Sequence, residues 1–340
     1  MGLFQPTRRE LITSLPLLAG AAAFGGPLAA QDSSSINFLV IGDWGRDGRY
    51  FQRQVAQLMG ETSLAKRSVF VAGTGDNFYP LGVSSETDRQ WWTSFEDIYT
   101  HEGLERLPWL GVLGNHDYGG RVQAQVGRTG VGRWYLPELW YHVPGSRFGR
   151  DDLDLFFINT VVWLGKESFP YRWLGSDIRA GEQREQVDWL TEKLACSTAR
   201  YKLVFGHHGI YSIGPHGGSM RMRDLDVILR THGVTAYVSG HDHCLYHISR
   251  DGMHYICSGG GSKVLATYTG GPRSGCVLKN SCGDDDSTFP YWHWFGPDAG
   301  FASFDVDDAG LSFELIRVHD LPGSRHRRTI GRADEKAAAG

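Results

Sequence analysis

Ser68-Val-Phe-Val-Ala-Gly-Thr-Gly-Asp-Asn-Phe-Tyr79 joins a short apolar run to a group of polar side chains. The run is rich in β-branched and aromatic residues and predicts a strand. Its glycines allow a sharp turn, and Asp76 and Tyr79 come directly after it. Working outward, the same arrangement recurs. Residues 36–41 are apolar and run into Gly42-Asp43-Trp44-Gly45, and residues 109–113 into Gly114-Asn115-His116-Asp117. Residues 201–205 run into Gly206-His207-His208, and 235–239 into Gly240-His241-Asp242-His243. Each polar block follows the C-terminal end of a predicted strand, the edge of an α/β sheet where binding sites collect. Helical spacing is expected over 51–66, 87–99, 182–194 and 223–230. A further strand is expected at 153–158, with more at 246–250, 254–258, 301–306 and 311–318. The expected fold is an α/β sandwich: two mixed β-sheets packed face to face, with helices on the outer faces.

The chain has 340 residues, 41% hydrophobic and 21% charged, which is globular composition with length for a sizeable core. A net charge of -4 gives no nucleic-acid footprint. Thr7-Arg8-Arg9-Glu10 precedes a modest apolar stretch that ends at Leu28-Ala29-Ala30. Paired arginines there are expected to form a twin-arginine export signal over residues 1–30, giving a periplasmic or secreted protein. Pro16, Gly20, Gly25, Gly26 and Pro27 argue against a stable membrane anchor. Residues 31–323 are read as one catalytic domain and 324–340 as a frayed tail. The five cysteines do not form the paired CxxC spacing of a zinc module, and Cys276 and Cys282 are near enough to staple a loop.

The blocks supply aspartates, an asparagine, histidines and one phenol. His241 and His243, two apart in an extended segment, face one side. Hard carboxylate and phenolate oxygens suit a small trivalent ion, so Tyr79 points to ferric iron; neutral imidazole and amide donors suit a divalent ion. Of the adjacent pair, His207 at the strand end is the better ligand candidate than His208.

Together, Gly-Asp-Trp-Gly, Gly-Asp-Asn-Phe-Tyr, Gly-Asn-His-Asp and Ser-Gly-His-Asp-His resemble the purple acid phosphatases of the metallophosphoesterase superfamily. The low-molecular-weight, tartrate-resistant branch is the most similar, over about residues 36–320. Gly45 stands where most superfamily members carry a histidine, and Tyr79 marks the purple branch. The resemblance implies a metallophosphoesterase-like sandwich with a binuclear centre. Asp43, Asp76, Tyr79 and His243 would hold Fe(III). Asp76, Asn115, His207 and His241 would hold a divalent iron, zinc or manganese, with Asp76 bridging. It implies hydrolysis of small phosphomonoesters by in-line attack of a metal-bound hydroxide, with His116 at the phosphoryl group and His216 as a proton donor. The alternatives are a phosphodiesterase or nucleotidase on the same scaffold, or a non-catalytic metal- or phosphate-binding protein. Asp117 is expected to brace the ligand loop. The aromatic run 291–295 is expected to pack as a loop or to wall the pocket, and residues 165–181 to form a solvated loop. Histidines such as His247, His254 and His293 are read as core or surface residues.

Overall fold

The computed structural model describes residues 35–165, 178–265, 291–320 and 325–330. The expected export signal, the Cys276–Cys282 pair and most of the 165–181 loop lie outside the described residues.

In chain order the elements are β1 (Ile36–Ile41), α1 (Gln52–Lys66), β2 (Ser68–Gly73), β3 (Trp109–Leu110), α2 (Val122–Gly127), β4 (Trp134–Tyr135), β5 (Tyr141–Pro144) and β6 (Leu153–Phe157). Then come α3 (Thr160–Leu164), α4 (Glu182–Cys196), β7 (Tyr201–Phe205), α5 (Arg223–Thr231), β8 (Ala236–Ser239), β9 (Leu245–Arg250), β10 (Met253–Ser258), β11 (Tyr291–Gly296), β12 (Gly300–Val306), β13 (Leu311–Arg317) and β14 (His326–Ile330). They build two seven-stranded sheets, ordered β14-β13-β12-β1-β2-β3-β4 and β11-β9-β10-β8-β7-β6-β5. Both are mixed. β1 runs parallel to β2 and antiparallel to β12, while β8 runs parallel to β7 and β10.

Strand alternation explains the layering. On β6, Leu155 and Phe157 join the core shared with Phe38, Val40 and Phe304 of the first sheet; Phe156 faces the opposite way. That outer face of the second sheet is covered by Leu190 and Leu194 of α4 and by Leu225 and Leu229 of α5. Phe38 stacks on Phe70 and Phe304 at 4.5 and 5.1 Å, joining three adjacent strands. Trp44, just beyond β1, packs edge-on against Phe78 and Tyr99 and fixes the floor under the first two polar blocks.

Three expectations are corrected. Residues 87–99 do not form a helix of that length; a single wide turn spans Trp91–Glu96. The Ser94 carbonyl is taken by the Gln52 side-chain amide at 2.8 Å, so it does not serve helix continuation. The 291–295 run is an edge strand paired with β9, not a loop. His326–Ile330, expected in the tail, forms an edge strand on β13. There Arg327 and Lys66 both pair with Glu314. These edge strands also gather His247, His254, His293 and His326. The His247 ring nitrogens lie 3.0 Å from His326 Nε2 and 2.9 Å from His254 Nδ1, and His293 stacks on His247 at 4.3 Å.

Candidate metal centre

The loops after β1, β2, β3, β7 and β8 converge, so both sheets feed one site. The backbone there is held against its own preference. Asp43, Asp76, His241 and His243 have φ of 61°, 50°, 70° and 50°, the left-handed region that non-glycine residues rarely adopt. Such strain, on the order of 1–3 kcal/mol per residue, persists only where surrounding structure imposes it, and it collects at functional sites.

The donor atoms fall into two sets. Tyr79 Oη lies 2.9 Å from Asp43 Oδ1, 2.7 Å from Asp76 Oδ2 and 3.3 Å from His243 Nε2. His207 Nε2 lies 3.1 Å from Asn115 Oδ1, 3.2 Å from His241 Nδ1 and 3.4 Å from Asp76 Oδ1. Asp76 therefore offers one oxygen to each set. The imidazoles are aimed by their other nitrogens. His207 Nδ1 donates to the Thr74 carbonyl at 2.8 Å and His243 Nδ1 to the Lys263 carbonyl at 2.7 Å, which leaves both Nε2 lone pairs facing inward.

The electrostatics suit cations. Burial and the Asp76 carboxylate push the Asp43 pKa well above the carboxylate range. Burial and both carboxylates likewise raise the Tyr79 phenol. Burial lowers His207, holds His241 well below the usual imidazole range and brings His243 down to about 4. Two facing carboxylates, a phenol costly to ionise and neutral imidazoles with inward lone pairs are the donor chemistry of a metal centre. The residues fit two ions.

Backbone packing explains the glycine of the first block. A Cβ on Gly45 would sit 1.8 Å from the Asn77 carbonyl oxygen. Tyr79 N donates to the Gly45 carbonyl at 2.8 Å. The loop that delivers the phenol thus lies directly on residue 45, and no histidine side chain fits there. Gly114 is similarly closed, by Asp76.

The supporting residues are placed as follows. Asp117 braces two ligand loops, accepting Gly114 N at 2.8 Å, Asn77 N at 3.1 Å, Phe78 N at 3.3 Å and the Gln125 amide at 2.9 Å. His116 donates its N–H to Asp76 Oδ1 at 2.8 Å, while its ring Nδ1 meets the Pro80 carbonyl at 2.6 Å and its Nε2 lies 4.0 Å from Asp76. His216 is exposed, with its ring 4.5 Å from that of His241. Its loop is pinned rather than free: Asp242 accepts His216 N at 2.8 Å, Ser212 Oγ at 2.5 Å and Tyr246 Oη at 2.9 Å. His208 brings a ring nitrogen within 4.8 Å of those of His207 and His241, its ring centroid 4.4 Å from that of His241, and Thr160 Oγ1 holds its Nδ1 at 2.9 Å. Asp242, Thr160 and Arg46, which stacks on Tyr79, were not legible as site residues. The one signal was that Asp242 and Arg46 adjoin ligand blocks.

Residues 36–245 match the Calcineurin-like phosphoesterase family. The chain is 39% identical over 243 residues to Purple acid phosphatase 3 of Arabidopsis thaliana, covering 69% of this chain and 65% of that protein. It is 31% identical over 264 residues to Tartrate-resistant acid phosphatase type 5 of Rattus norvegicus, covering 74% and 77% of the two chains. The chain belongs to the purple acid phosphatases. It is thus an acid phosphatase of the metallophosphoesterase class, and the family implies a binuclear metal centre. A solved structure titled "GAP50 the anchor in the inner membrane complex of Plasmodium" superposes with a TM-score of 0.68 over 90% of this chain and 94% of that one. At 24% identity this likeness shows the shared fold alone.

Proposed function

We propose that this purple acid phosphatase is an exported phosphomonoesterase. Asp43, Asp76, Tyr79 and His243 hold a ferric ion; Asp76, Asn115, His207 and His241 hold a divalent iron, zinc or manganese. The observation that carries the reading is the Asp76 carboxylate, one oxygen in each donor set. Two such ions, when bound, neutralise phosphate charge and acidify water.

The chain's own residues do the rest. Asp76 and His116 are coupled through the His116 N–H, so the side chain assigned to the phosphoryl group is positioned by the bridging ligand. The Pro80 carbonyl fixes the His116 ring and leaves Nε2 for substrate. His216, held by Asp242, is the side chain assigned to protonate the leaving alkoxide. The Tyr79 loop lying on Gly45 excludes the histidine of the phosphodiesterase-type first block and supports the monoesterase reading. Arg8 and Arg9 support export through the twin-arginine route.

The test is a panel of phosphomonoesters and diesters at several pH values, with His116→Ala beside the wild type and with cell fractionation. Monoester turnover from the periplasmic or secreted fraction is expected. It should fall about 100-fold or more in His116→Ala at unchanged metal content. Preferred diester turnover, or an unaffected His116→Ala, would overturn the assignment.

A further inference from the structure

Arg46 follows Gly45 directly, and its guanidinium carbon lies 3.3 Å from the centroid of the Tyr79 ring, in van der Waals contact with the phenol's face. The placement is built. Arg46 Nε donates to Ser262 Oγ at 3.2 Å, Ser262 Oγ donates to the Asp43 carbonyl at 2.5 Å, and Arg46 N donates to Gln52 Oε1 at 3.0 Å. Among the described residues no carboxylate comes within 4.0 Å of this guanidinium. The neighbouring cation, Lys263, lies over Tyr50. A positive charge with no carboxylate in direct contact, but within Coulombic reach of Asp43, is therefore stacked on the one phenol of the ferric donor set.

We infer that Arg46 tunes the Tyr79 phenolate electronically, setting the colour and reduction potential of the iron it binds. The role is neither that of a ligand nor that of a proton donor. This rests on the ferric reading above. The sign follows from position. The guanidinium sits over the ring, whereas the other donors gather at Oη, the ring's far tip. Visible excitation of a ferric phenolate moves an electron from the ring toward the ion, away from the guanidinium. The charge therefore raises the transition energy. It also favours the ferrous state over the ferric one, because the reduced centre carries less positive charge beside it. Removing the charge should redden the band and lower the potential.

The experiment uses the full chain loaded with iron. Arg46→Met removes charge but keeps reach; Arg46→Lys keeps charge but loses the planar stack. Where the Met variant takes up no iron, Arg46→Gln supplies the uncharged arm. The visible absorption maximum and the midpoint potential of the ferric/ferrous couple are read at matched iron content. The expected result is a shift to longer wavelength and a lower potential in the uncharged variant, with the Lys variant in between. A purely structural role would change iron content or melting temperature and leave the band of loaded protein in place. A coloured wild type whose uncharged variant shows the same maximum and potential overturns this role alone. A colourless, iron-loaded wild type overturns the ferric reading and this role with it.

Discussion

Gly45→Ala adds a single methyl group at the point where the first two ligand blocks touch. The new Cβ would lie 1.8 Å from the Asn77 carbonyl oxygen, 2.9 Å from its carbon and 3.2 Å from Phe78 Cα. Contacts below 3.0 Å must open, so residue 45 and the 77–79 segment have to separate by about 1.2 Å. Both sides are backbone, and no flexible side-chain tip can yield instead. Overpacking of this kind costs about 1–3 kcal/mol, or roughly 2–5 °C in melting temperature for a chain of this size. The displacement is transmitted to Tyr79 through its N–H bond to the Gly45 carbonyl, and so to the 2.7 and 2.9 Å contacts of Oη. A misplacement of about 1 Å at a reacting centre is enough to cost about 100-fold in rate. The assay is a thermal melt with a visible spectrum and monoester kinetics on matched protein. The expected result is a lower melting temperature, a weakened band and a loss of turnover. An alanine variant with wild-type melting, colour and rate would refute the claim that glycine is required here to admit the tyrosine loop.

Two further outcomes are expected. Asp117→Asn replaces one acceptor oxygen of the brace with an amide N–H₂, which at Oδ2 faces the Gly114 and Asn77 N–H groups, one from each donor loop. Metal affinity should fall about 10- to 100-fold, with destabilisation of about 2–4 kcal/mol; isothermal titration and urea unfolding check both, and unchanged values would remove the bracing role. The histidine cluster makes the fold acid-sensitive. Burial, with His254, His293 and His326 beside it, holds His247 far below the usual imidazole range; burial, His293 and Arg328 bring His326 down to about 4. Folded pKa values below the unfolded value mean that the unfolded chain binds protons first. Stability is therefore full above about pH 6.5 and is lost progressively as pH falls toward 4. Urea midpoints at pH 7, 5.5 and 4 should show a steeper acid loss in the wild type than in His247→Gln; identical slopes would show that the cluster is not responsible.

The converging donor set was readable because each member follows a strand end, and strand ends are marked locally by an apolar run closing on glycine. Donor chemistry then divided the set without coordinates. The partners of Asp242, Arg46 and Thr160 were hidden because each acts on a residue brought near by folding. The Asp242 spacing places it opposite His241 and His243, but nothing local says that the loop of His216 lies there. His247, His254, His293 and His326 come from four strands and meet through register, which single-strand periodicity does not encode. The Arg-rich 324–328 stretch resembles a solvated tail, yet Glu314 on β13 gives Arg327 a partner and turns the segment into an edge strand. At 87–99 the apolar spacing was helical, but Gln52 takes the Ser94 carbonyl.

We propose above that Tyr79 is a ferric ligand in a centre bridged by Asp76. Metal analysis and a visible spectrum of the purified protein, run beside Tyr79→Phe, check it. The expected result is iron with a second divalent ion in each chain, and a visible band that Tyr79→Phe bleaches. A fully iron-loaded, active and colourless wild-type protein would contradict it.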